Sequence, residues 1–131
     1  MILVDTSVWI DFFRAAETPQ ARRLAAALAG DEELCTCGPV MTEVLQGIRS
    51  ASEYRRVRES LDLLVYLPIG RETYVRAAEI WRKARRRGRT LRSTIDCIIA
   101  ACAADSGAAV LHRDRDYDTI AELSNLKIAG L

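Results

Sequence analysis

Ile2-Leu3-Val4-Asp5-Thr6-Ser7 opens the chain with an unbroken apolar run that stops at an acid and two hydroxyl residues. Three apolar side chains without alternation are expected of a central parallel strand covered on both faces. Thr6-Ser7 then predict the cap of a helix carrying Val8, Trp9, Phe12 and Phe13. The same change from strand to helix recurs along the chain. Thr18-Pro19 predicts a helix to about Ala29 with Leu24 and Leu28 inward, followed by a strand over Glu33–Cys37. Gly38-Pro39 starts a helix through Val40, Val44, Leu45 and Ile48. Ser52–Leu64 reads as another, and Val65-Tyr66-Leu67 as a short strand closed by Pro68. A long helix from about Glu72 is expected to turn Val75, Ala78 and Trp81 inward and to end at Gly88. Ser93-Thr94 begins the next, running to Ser106-Gly107 with Ile95, Ile98, Ile99 and Cys102 at helical spacing. Ala108–Leu111 is a strand, Asp114 or Asp116 opens a last short helix, and Leu126–Ile128 is an edge strand. Strands alternating with helices define an α/β fold with a mainly parallel sheet.

The chain has 131 residues, 50% apolar and 28% charged, the balance of a soluble globular protein. No apolar stretch approaches the roughly 18 residues of a membrane span. The first residues carry no basic leader and are not read as a signal peptide. The four cysteines, Cys35, Cys37, Cys97 and Cys102, form no C-x-x-C, and His112 is the only histidine, so a zinc site is poorly supported. Buried free thiols fit a reducing, cytoplasmic setting.

Formal charge is +1, from 19 basic and 18 acidic side chains, but the two signs are separated in sequence. From Arg76 to Arg92 eight basic residues face Glu79 alone. From Asp96 to Glu122 six acids face Arg113 and Arg115. A basic block followed by an acidic one suits a polyanion held beside a metal, although a solvated helix face is the plainer account of the first.

Asp5 and Asp114 follow apolar strands, and ligands of open α/β sheets bind outside the carboxyl ends of strands. Glu43 lies a turn into its helix, and Asp96 in the first turn of its own. Convergence of the four would create repulsion that a cation relieves, and hard oxygen donors favour Mg²⁺ or Mn²⁺. Each also has an ordinary reading. Ser93-Thr94-Ile95-Asp96 is a capping-box pattern, Asp5 and Asp114 can cap helices, and Glu43 can be solvated. Asp96, however, is the only charge in the apolar run Ile95–Ala101, where a lone carboxylate requires a partner.

Val4-Asp5-Thr6-Ser7, Glu43-Val44-Leu45-Gln46-Gly47, Ser93-Thr94-Ile95-Asp96-Cys97-Ile98-Ile99-Ala100-Ala101 and His112-Arg113-Asp114-Arg115-Asp116-Tyr117 resemble, in order, the motifs of PIN-domain nucleases. More narrowly they resemble the VapC toxins of bacterial and archaeal VapBC toxin–antitoxin modules. The resemblance covers essentially the whole chain and implies a single PIN domain over 1–131, Rossmann-like, with about five strands flanked by helices. It implies a Mg²⁺- or Mn²⁺-dependent endoribonuclease with Asp5, Glu43, Asp96 and Asp114 as catalytic residues. Asp5, Asp96, Asp114 and Asp116 would hold the metal. Thr6 or Ser7 would position a ligand near Asp5; Thr6, Arg89, Arg92, Arg113 and Arg115 are the expected RNA contacts.

His112 departs from the family pattern, where Thr or Ser is common; it either reaches the phosphate or is bonded locally at its strand end. The resemblance further implies a homodimer or toxin–antitoxin hetero-oligomer, with a VapB-type antitoxin docking on the early helices. Trp9, Phe12 and Phe13 are then core, in part interface. The competing reading is a catalytically silent PIN-like module that binds nucleic acid or regulates. A phosphoacceptor receiver domain is disfavoured, because paired acids after the first strand are missing.

Overall fold

The opening apolar run is the middle of a parallel sheet. In the computed structural model, which describes residues 1–131, β1 (Ile2–Val4) lies between β2 (Leu34–Thr36) and β4 (Ala109–Leu111). β3 (Val65–Tyr66) and β5 (Lys127–Ile128) are the edges, giving the order β3-β2-β1-β4-β5. Ile2, Leu3 and Val4 are all buried, as a strand covered on both faces requires. Strand order reverses between β1 and β4, and the two are in register from Ile2↔Ala109 to Val4↔Leu111. Their carboxyl ends, Asp5 and His112, therefore emerge side by side at the switch point where such sheets bind ligands.

Seven helices make the connections. Travelling outward, α1 (Thr6–Phe13), α2 (Pro19–Ala29), α3 (Gly38–Gln46) and α4 (Ala51–Asp62) link β1, β2 and β3. α5 (Arg71–Arg86), α6 (Thr94–Ser106) and α7 (Asp116–Leu123) serve the return to β4 and on to β5. Right-handed crossovers place helices of opposite travel on opposite faces. The packing agrees: α1 meets α2 and α3, and α3 meets α4, while α5, α6 and α7 pack mutually. α3 also touches α6, bringing the helices of Glu43 and Asp96 together. No helix is long and apolar enough to cross a membrane.

Several local expectations are corrected. Of the caps offered for α1, Asp5 is the one used and Thr6 and Ser7 are not: its Oδ2 accepts from the Ser7 amide at 3.1 Å. In α2 the inward face is Ala21, Leu24 and Ala27, and Leu28 is exposed. In α5 Thr73, Ala77 and Ala84 are buried, whereas Val75 and Ala78 are exposed and Trp81 is half-buried. The reason lies in the partner. α6 presents a surface rich in small residues, and a close approach selects Ala77 and Ala84 for the seam over bulkier side chains. Asp105 of α6 fixes this phase by accepting from Thr73 Oγ1 (2.8 Å) and Arg76 Nε (2.7 Å). Helix α6 closes on Gly107 at φ 71°, the left-handed residue that ends many helices.

All four cysteines are free and buried. Burial pushes the Cys35 and Cys97 thiols up to about 11, so both are inert packing groups. Trp9 is buried, stacked on Phe13 and edge-on to Phe12.

Candidate active site

Asp5 is fixed from three sides as β1 gives way to α1. Its amide donates to Leu111 O across the switch point (2.9 Å). Oδ2 accepts from both the amide and, at 2.6 Å, the hydroxyl of Ser7. Oδ1 accepts from the Tyr117 hydroxyl at 2.7 Å. Burial and the charges of Asp5 and Asp96 hold the Tyr117 phenol well above its ordinary pKa, so it remains a donor. Asp5 is thus a buried, oriented carboxylate.

Asp96 approaches from α6, with Oδ1 3.4 Å from the same phenolic oxygen. Ser93 makes no side-chain cap bond, so the capping-box reading of Asp96 fails and its carboxylate projects free of the helix start. Burial first, then the charges of Asp5 and Asp114, push its pKa up to about 7. The Tyr117 proton is committed to Asp5, which leaves Asp96 without a donor of its own. Protonation or a cation are the two ways to relieve such a charge.

Asp114 and Asp116 come from the turn between β4 and α7. Asp114 Oδ1 accepts from the Asp116 amide at 3.0 Å, a local bond that points the pair the same way. One oxygen each from Asp96, Asp114 and Asp116 lies within 4.8 Å of the others. Three hard oxygen donors at this spacing fit a divalent cation. Glu43 sits apart from the three, accepting from Thr6 Oγ1 at 3.0 Å. Of the acids expected to hold a metal, three converge, and Asp5 stands one phenol away.

His112 is bonded locally. Nδ1 accepts from the Asp114 amide (3.0 Å) and Nε2 faces Asp118 Oδ1 (3.2 Å), which assigns the neutral Nε2–H tautomer. The ring, 8% exposed, orients the Asp114 turn and packs against Tyr117.

The expected RNA-contacting arginines are mostly engaged with protein. Arg89 donates to Glu122 Oε2 (2.7 Å) and Thr119 Oγ1 (3.0 Å), and Arg113 to Asp11 Oδ1 (3.1 Å). Arg92 donates to Asp114 and Asp116 themselves. Arg115 is exposed and makes no ion pair, as are Arg82, Arg85, Arg86 and Arg87. Arg89, Thr90, Arg92 and Arg115 line a groove of about 570 Å³ together with Asp116, Asp118, Thr119 and Glu122. The structure adds Tyr117 as the group that joins Asp5 to Asp96. Its place three residues after Asp114 lies inside the last of the four motifs, but nothing local marks its ring as buried.

A buried and half-buried acidic set at the switch point of a five-stranded parallel sheet defines the class, and the PIN domain family model matches residues 2–123. The chain is 39% identical over 134 residues to ribonuclease VapC11 of Mycobacterium tuberculosis, covering 99% of this chain and 98% of that protein. It belongs to the VapC ribonucleases of the PIN-domain family. Among solved structures it resembles VapBC2 of Rickettsia felis bound to a promoter DNA fragment, with TM-score 0.77 and 14% identity over 100% and 99% of the two chains. It also resembles a toxin–antitoxin complex from Klebsiella pneumoniae, with TM-score 0.70 and 20% identity over 88% of each. At these identities the structural likeness speaks for the fold alone.

Proposed function

We propose that this protein is the toxin of a toxin–antitoxin pair and a divalent-cation-dependent endoribonuclease, with Mg²⁺ or Mn²⁺ as the cation. One observation carries the reading: the oxygens of Asp96, Asp114 and Asp116 gather within 4.8 Å beside a fixed Asp5. The 39% identity to a ribonuclease across 99% of the chain supports it. When bound, the cation supplies positive charge to the phosphate oxygens and lowers the pKa of an attacking water.

The rest belongs to the chain's own groups. Asp96, Asp114 and Asp116 would hold the cation. Asp5, oriented by Ser7 and Tyr117, presents a fixed carboxyl group at the carboxyl end of the central strand and orders water there. Glu43 commits one oxygen to Thr6 and leaves the other to accept a proton. In-line attack leaves 5′-phosphate and 3′-hydroxyl ends. Arg115 and the exposed arginines at the end of α5 contact the RNA backbone. Residues 1–131 act as one PIN domain, in the cytoplasm, as a homodimer or bound to a VapB-type antitoxin. A silent binding module is the alternative, and the complete acidic set argues against it.

The test is cleavage of a mixed RNA pool with Mg²⁺ or Mn²⁺. Asp96→Asn is expected to remain folded and lose at least about a hundredfold in rate, the scale of lost electrostatic stabilisation. Full activity in that variant, or undiminished cleavage in EDTA, overturns the proposal.

A further inference from the structure

Arg92 is the one cation already lodged on the acidic cluster. Its Nη2 donates to Asp114 Oδ1 at 2.7 Å, and its Nε to Asp116 Oδ2 at 3.3 Å. Two of the three carboxylates that converge for a metal are therefore bridged by one guanidinium. The backbone amide of Arg92 separately donates to Asp116 Oδ2 at 3.0 Å. Leu91, 5% exposed, anchors this short segment between α5 and α6. The segment is thus fixed by its backbone and Leu91, while the Arg92 side chain is 61% exposed and free to leave. Asp96, the third member, receives nothing from Arg92.

A divalent cation and a guanidinium on the same carboxylate pair repel one another and compete for the same lone pairs. A guanidinium swung away keeps its anchor at the groove and presents a planar fork of donors matched to phosphate. The geometry points to Arg92 as a displaceable internal counter-ion: its guanidinium and a divalent cation claim the same oxygens of Asp114 and Asp116, and cation binding releases it to hold a phosphate of the RNA. This rests on the proposed cation-dependent ribonuclease activity and adds to it a coupling between metal entry and substrate grip.

Two consequences of opposite sign follow, and a purely structural arginine would not produce both together. Removing the fork should strengthen cation binding and weaken turnover once the cation is saturating. The experiment titrates the full chain with Mn²⁺, reading free ion by electron paramagnetic resonance, for wild type, Arg92→Gln, Arg92→Lys and Asp96→Asn. Arg92→Gln is expected to bind Mn²⁺ about fivefold more tightly, the scale of one exposed ion pair. At saturating Mn²⁺ it is expected to cleave RNA at least about tenfold more slowly, with Arg92→Lys between it and wild type because charge remains but the fork is lost.

Unchanged or weaker Mn²⁺ binding by Arg92→Gln overturns the proposal, since the arginine would then merely pre-order the carboxylates. Undiminished cleavage at saturating Mn²⁺ overturns it as well, by removing the phosphate role. Failure of the underlying functional reading looks different: wild type would bind no Mn²⁺, or Asp96→Asn would bind and cleave as well as wild type.

Discussion

Tyr117 shows how much a single hydroxyl organises here. It is fully buried and donates to Asp5 Oδ1 while lying 3.4 Å from Asp96. Tyr117→Phe preserves the ring's packing on His112 and removes only the donor. The Asp5 oxygen would then be buried without that partner, a loss worth about 1–3 kcal/mol. Urea denaturation is expected to show this as a lower midpoint at unchanged slope. Cleavage should fall too, because Asp5 loses one of the groups that aim it. Equal stability of the two proteins would mean that water replaces the hydroxyl. Asp5 itself combines two roles that look exclusive in a sequence: its Oδ2 caps α1 and its Oδ1 faces the site.

At the scale of elements, the α5–α6 pair sets the orientation of the helix that carries Asp96. Asp105, in the last turn of α6, accepts from Thr73 and from both ends of the Arg76 fork. The Arg76 hydrogen bonds hold the Asp105 carboxyl below its ordinary pKa. A depressed carboxyl stabilises the fold above its unfolded pKa, and the gain is lost as pH falls through the folded value. Asp105→Asn is therefore expected to be less stable than wild type near neutrality, by about 1 kcal/mol or less for so exposed a pair. The two stabilities should converge below about pH 4. Thermal melts across pH 3–8 check this; a constant difference would assign the effect to packing. The inward face of α5 is also set by this helix pair. Apolar size alone favours Val75 and Trp81, whereas a close helix–helix seam favours Ala77 and Ala84.

For the whole molecule, a cation that binds only the folded chain must stabilise it. At a hundred times its dissociation constant, Mn²⁺ is expected to add about 2.7 kcal/mol. The melting temperature of wild type should rise accordingly and that of Asp96→Asn far less. An equal rise in both would place the ion elsewhere. The near-neutral charge total conceals a cluster of acids at the switch point and an exposed basic end of α5. Reversing Arg85, Arg86 and Arg87 to Glu is expected to weaken RNA binding and flatten its salt dependence. The logarithmic slope should fall by about 0.7 for each single-strand phosphate that is no longer neutralised. An unchanged slope would return those residues to a solvated helix face.

Much of this architecture is legible locally. The unbroken run Ile2–Val4, the Thr18-Pro19 and Gly38-Pro39 helix starts and Gly107 at the end of α6 all act through neighbours in sequence. Periodicity and backbone preference therefore determined the order of strands and helices, the parallel sheet and the acids that lie at strand ends. The tertiary structure decided what those preferences leave open. Asp96 joins Asp114 and Asp116 because α6 crosses beside β4, and Tyr117 reaches back to Asp5 across 112 positions of chain. It also decided that Arg92 faces the acids and that Arg89 and Arg113 are tied to Glu122 and Asp11. A carboxylate's role depends on the charges within a few ångströms of it, and only the packed sheet and helices determine which charges those are.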